Sequence, residues 1–218
     1  MPRTPELRAT TLHFLPIGAS PPAQQRLTRD ISRVTTRFRA LIGAKLNPML
    51  DPAATLILDW LQQIGLTVRL APHGADTFLP GVTLAPGGLI VDPDRLLYPG
   101  DLLHEAGHLA TMLPEQRAAA GSNAGSDMGD EIAAQTWSYA AAVHLGLPPE
   151  MVFHSTGYKG AAASLIQIYR DGSAGVPLLQ WMGLTLDSTR AAAISVPPYP
   201  HMIRWLRTQP DSCEARTN

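Results

Sequence analysis

The sequence predicts an α+β fold in which a small β-sheet packs beside one helix and the remainder is mostly helical. Three observations carry this: apolar residues recur at three- and four-residue steps over several long segments, short β-prone runs are confined to residues 66–92, and a strongly amphipathic helix follows them directly. With 218 residues, 45% of them hydrophobic and 16% charged, the chain can bury a sizeable core and reads as a single domain, 1–218.

Residues 1–22 form an N-terminal arm, where Pro2, Pro5 and Glu6 stand in place of the basic start and apolar stretch of a signal peptide. No apolar run of membrane-spanning length occurs elsewhere, so the expectation is a cytoplasmic protein without a membrane partner. Over residues 23–46, Leu27, Ile31, Val34, Phe38, Leu41 and Ile42 fall at helical spacing, and Pro48 ends the pattern. Asp51 and Pro52 supply the cap and first position of a second helix, which stops at Gly65. Residues 66–70 and Gly88–Val91 then read as strands, two or three in all, separated by proline and glycine.

Asp101 can cap a helix that runs to Leu113, where Pro114 forbids continuation. Residues 115–129, rich in Ala, Gly and Ser, are expected to form a mobile loop before a helix over about 130–145. Three shorter helices are expected near 161–169, 178–182 and 201–207, with a flexible tail at 208–218.

Seventeen Lys and Arg against eighteen Asp and Glu give a net charge of -1, and no basic run builds a nucleic-acid patch. The single cysteine, Cys213, excludes a disulfide framework and a cysteine zinc site. Any metal must therefore be held by histidines and carboxylates.

His104-Glu105-Ala106-Gly107-His108 fits the H-E-x-x-H pattern. Two histidines four residues apart lie about 40° apart around a helix, so both can reach one tetrahedral Zn2+. Glu105 then sits beside the open metal position, where a carboxylate can take a proton from a zinc-activated water and pass it to a leaving amine. Leu102, Leu103, Ala106, Leu109, Ala110 and Leu113 form the stripe that makes this segment helical and buries its opposite side. Gly107 leaves room near the metal for a substrate backbone or a crossing helix.

A third ligand is required. The extended pattern with glycine at 111 and histidine at 114 is excluded, since Thr111 and Pro114 stand there. Glu131 opens the next helix and is the preferred candidate, with Asp130 and Asp127 as rivals that also suit a helix cap. Gln135, one turn beyond Glu131, is placed to hydrogen-bond a ligand. His144 points about 140° away from Glu131 on the same helix and should not reach the metal. His13, His73, His201 and the four tryptophans are assigned no function.

On His104, Glu105, His108 and Glu131 the chain resembles the gluzincin clan of metallopeptidases, whose pattern is H-E-x-x-H followed by a Glu at the start of the next core helix. It looks most like the small bacterial, ImmA/IrrE-like members, over roughly residues 80–152. Gln135 departs from the acidic residue common at that position. The resemblance implies a zincin-like fold, zinc-dependent hydrolysis of peptide bonds and a peptide or protein substrate. It also implies that residues 87–91 form an edge strand that aligns the substrate, and that His154 or Tyr158, in a glycine-bearing stretch, stabilises the oxyanion. Two alternatives use the same residues: a catalytically silent peptidase-fold module that binds a partner, and a zinc hydrolase of a non-peptide substrate.

Overall fold

A computed structural model describes residues 50–72, 79–122, 127–158 and 160–209. The expected arm (1–22), the helix over 23–46, His13, His73, Cys213, residues 123–126 of the expected loop and most of the tail lie outside the described residues. Everything described belongs to one compact unit, Leu46–Asn218.

Helix α1 (Pro52–Gln63) starts where its cap dictates: the Asp51 carboxylate accepts the Ala53 N–H at 2.7 Å, and Pro52 occupies the first position. Gly65, at φ 99°, takes the left-handed conformation that turns the chain into strand β1 (Thr67–Leu70). Strands β2 (Val82–Ala85) and β3 (Gly88–Val91) complete a three-stranded sheet of order β1-β3-β2, with β1 parallel and β2 antiparallel to β3. The architecture is α+β, as the sequence predicts. β3 is the central strand, however, and its hydrogen-bonding groups are taken on both sides. It cannot serve as the substrate-aligning edge that the resemblance implies; among the described residues the edges belong to β1 and β2.

Helix α2 (Gly100–Thr111) carries the motif. Leu102, Leu103, Ala106, Leu109 and Ala110 of the predicted stripe are each 0% exposed, Leu113 lies beyond the helix end and is half-buried, and every other residue of α2 except Glu105 is buried as well. It begins two residues earlier than a cap at Asp101 would place it, with Pro99 at the cap and no side-chain cap bond, which puts Asp101 inside the first turn. The expected loop over 115–129 begins as a short helix, α3 (Pro114–Ala118), for which Pro114 is the first position. Arg117 ties it down by donating to the carbonyls of Leu109, Met112 and Arg207 at 2.8–2.9 Å.

Helix α4 (Met128–His144) runs antiparallel to α2 in the most extensive helix pairing of the fold. Gly107 permits the approach: a Cβ there would lie 2.6 Å from the Ala134 carbonyl oxygen. The room at Gly107 thus goes to the crossing helix. Ser138 fastens the crossing, its hydroxyl lying 3.0 Å from the Leu103 carbonyl and 2.6 Å from that of Ala134.

The remaining helices are α5 (Ala162–Arg170), α6 (Val176–Trp181) and α7 (Ser188–Ala193). The first two match expectation, while α7, capped by Asp187, is an addition. Residues 201–207 are not helical. Their backbone is spent on tertiary bonds instead: Met202 bridges Thr185, the Trp205 carbonyl accepts from Trp137 Nε1 at 2.9 Å, and the Arg207 N–H donates to the Ala110 carbonyl at 2.8 Å. Among the described residues no helix is long and apolar enough to cross a membrane.

Candidate metal centre

The antiparallel crossing sets His104 and His108 of α2 against Glu131 in the first turn of α4. His104 Nε2 and His108 Nε2 lie 3.3 Å apart, His108 Nε2 and Glu131 Oε2 3.3 Å, and His104 Nε2 and Glu131 Oε1 3.6 Å. Donor atoms about 2.0–2.1 Å from one zinc at tetrahedral angles lie roughly 3.3 Å from each other, and the two imidazole nitrogens stand near that spacing from each other and from the Glu131 carboxylate, His104 from Oε1 and His108 from Oε2. These three residues are the group that could hold a metal ion among the described residues.

Their protonation suits a cation. Burial holds the His104 imidazolium down to about 4, against the opposing pull of Glu131, so the ring is neutral with a lone pair available. The His108 hydrogen bond holds Glu131 down to about 2, with His104 and Gln135 assisting, so it is ionised. Two imidazoles and one carboxylate make a donor set suited to Zn2+. Two oppositely behaved outer contacts follow. His104 Nδ1 is buried without a hydrogen-bond partner, whereas Gln135 Nε2 donates to Glu131 Oε1 at 2.5 Å and accepts, through Oε1, the Tyr169 hydroxyl at 2.6 Å.

Of the rival ligands, Asp127 caps α4 by accepting the Gly129 and Asp130 N–H groups at 2.7 and 3.4 Å. Asp130 is not part of the His104, His108 and Glu131 group, although it lines a cavity together with His108. His144 packs against Trp60 and Trp205, with ring centroids at 5.7 and 4.9 Å, and so stays out of the site.

Glu105 is half-buried beside this group. Burial pushes its carboxyl up to about 7; His108 opposes this, and the charges of Asp101 and Glu131 add to it. Such a carboxyl can both take and return a proton near neutral pH. Tyr158 feels Glu131, Asp101 and Glu105, and burial with these charges raises its phenol, keeping it protonated as a hydrogen-bond donor.

His154 is held differently. The Gly157 N–H donates to its Nδ1 at 3.2 Å, which leaves the ring proton on Nε2, and Nε2 is 3.1 Å from Asp101 Oδ1. Tyr98 stacks on the ring at 3.9 Å and Thr156 Oγ1 approaches Nδ1 at 2.8 Å. With both nitrogens engaged, His154 anchors the segment that leads to Tyr158. Asp101 sits one helical turn before Glu105, a spacing that could have flagged it as a member of the same face.

A cavity of about 370 Å³ opens beside His108, lined also by Thr111, Met112, Asp130, Trp181 and Arg207. Trp181 is 73% exposed there, and the Arg207 guanidinium lies 4.7 Å from its ring centroid.

No protein-family model matches this chain, and no curated protein or solved structure matches it. The functional reading therefore rests on the site alone.

Proposed function

We propose that this chain is a zinc-dependent peptidase of the gluzincin type, with a zincin-like core, acting on a peptide or protein substrate. The observation that carries the reading is the mutual spacing of His104, His108 and Glu131 at 3.3–3.6 Å, with Glu105 beside them at a pKa near 7. A bound zinc would supply Lewis acidity, polarising a carbonyl and bringing the pKa of water down towards 7. Glu105 takes the proton of the attacking water and returns it to the leaving nitrogen. Tyr158 donates its O–H to the carbonyl oxygen as negative charge develops there. Asp101, through His154, holds the segment from which Tyr158 projects.

Metal content by mass spectrometry, read together with hydrolysis of unfolded casein and a peptide library, tests this. Wild type should carry near-stoichiometric zinc; Glu131→Ala should lose it and Asp130→Ala should keep it. Glu105→Gln should retain zinc and lose turnover by roughly 100- to 10,000-fold. A wild type that takes up no added zinc overturns the site, and undiminished turnover by Glu105→Gln overturns the mechanism. Zinc binding with no turnover of any peptide favours the silent binding module.

A further inference from the structure

The carboxylate of Glu131 does not stand alone. It ends a chain of two hydrogen bonds that begins in a different helix: Tyr169 O–H donates to Gln135 Oε1 at 2.6 Å, and Gln135 Nε2 donates to Glu131 Oε1 at 2.5 Å. Each link fixes the next. Burial raises the Tyr169 phenol to about 12, so at neutral pH it is a donor. A donor against the Gln135 amide requires its oxygen on that side, which turns its NH2 group towards Glu131. That N–H holds Glu131 Oε1, the oxygen 3.6 Å from His104 Nε2, and so fixes the carboxylate with Oε2 3.3 Å from His108 Nε2.

We infer that Tyr169 and Gln135 form a neutral positioning relay that holds the Glu131 carboxylate against His104 and His108, where it would serve as a zinc ligand. This rests on the zinc site proposed above and goes beyond it, since neither residue touches the metal or the reacting atoms. The anchor at its far end is rigid. Tyr169 is 2% exposed, is one of the two buried residues of α5, and stacks on Phe153 with centroids 5.3 Å apart. Gln135 is 9% exposed. Glu131, by contrast, has a side chain 43% exposed, which left alone would sample several rotamers. The relay supplies the order that its own position lacks. An amide in this role adds no second negative charge beside the ligand, as an acidic residue would.

A double-mutant cycle on zinc affinity, measured by competition with a chelating dye, tests the relay using wild type, Tyr169→Phe, Gln135→Leu and the double variant. Loss of an outer hydrogen-bond partner to a metal ligand costs about 10- to 100-fold in affinity. Each single variant should weaken zinc by about 10-fold or more. The double variant should match Gln135→Leu within about two-fold, because Tyr169 acts only through Gln135. A purely structural role would lower the melting temperature of the zinc-free protein and leave zinc affinity unchanged. Tyr169→Phe removes one oxygen and keeps the ring, so it remains informative even if Gln135→Leu fails to fold. Wild-type affinity in Tyr169→Phe, or losses that multiply in the double variant, overturns the relay. Failure of wild type itself to bind zinc overturns the underlying site instead.

Discussion

Glu105 has an environment that the metal-free protein can report. Its carboxyl is at about 7 in the folded chain against 4.5 when unperturbed, so between those values the folded state holds a proton that the unfolded state has released. Stability contributed by that proton is full below pH 4.5 and declines as pH rises towards 7. Zinc-free Glu105→Gln lacks the titration, so urea unfolding of the metal-free proteins should show its stability gaining on wild type across pH 4.5–7. Parallel curves would mean that Glu105 is not held as described. The grouping of His104, His108 and Glu131, with Glu105 beside them, was legible in the sequence, because helical spacing fixes the first three positions of the motif locally and the next helix start brings a carboxylate to them. Tyr169 and the Asp101–His154 pair were not, since their partners are 34 and 53 residues away and only the packing brings them together. Asp101 also carried a local signal for another role, that of helix cap, which the earlier start of α2 cancels.

At the scale of elements, periodicity located helices well where they bury one continuous face. α1 and the apolar stripe of α2 were legible for that reason, although α4 is buried on every side over Ala133–Ala142, while residues 201–207 misled because their apolar residues fill gaps between other elements. Trp205, for example, packs edge-on against Trp60 and Trp137 at 4.8 and 5.6 Å without a helix beneath it. The α2–α4 crossing is the element-level feature on which the site depends, because Glu131 meets the histidines only where the helix backbones nearly touch. Gly107→Ala places a methyl 2.6 Å from the Ala134 carbonyl oxygen, which cannot yield as a flexible side chain would. The helices must part, at a cost of roughly 1–3 kcal/mol for overpacking. Thermal unfolding should show the loss, and zinc affinity should fall as well, because Glu131 moves with α4. An unchanged affinity in a destabilised Gly107→Ala protein would mean that the ligand geometry tolerates a wider crossing.

For the whole molecule, the question is where a substrate lies. The cavity of about 370 Å³ beside His108 is the space that meets the ligand group, and its wall includes Trp181, which projects into solvent while Trp60 and Trp137 are 7% and 0% exposed. An exposed tryptophan with an arginine over its face, next to a candidate hydrolytic metal, offers a large apolar surface for a peptide side chain at low entropic cost. This makes Trp181 the tryptophan that a bound substrate should shield. Acrylamide quenching of zinc-loaded protein, with and without a peptide hydroxamate whose hydroxamate group chelates the metal, reads this directly. The accessible fraction of fluorescence should shrink when the hydroxamate binds, and Trp181→Phe should abolish that change while retaining zinc. If the hydroxamate binds and Trp181 stays as quenchable as before, the peptide runs along another wall. The open edge of β2 then becomes the surface to probe, because β2 packs on α2 and has no strand on its outer side among the described residues.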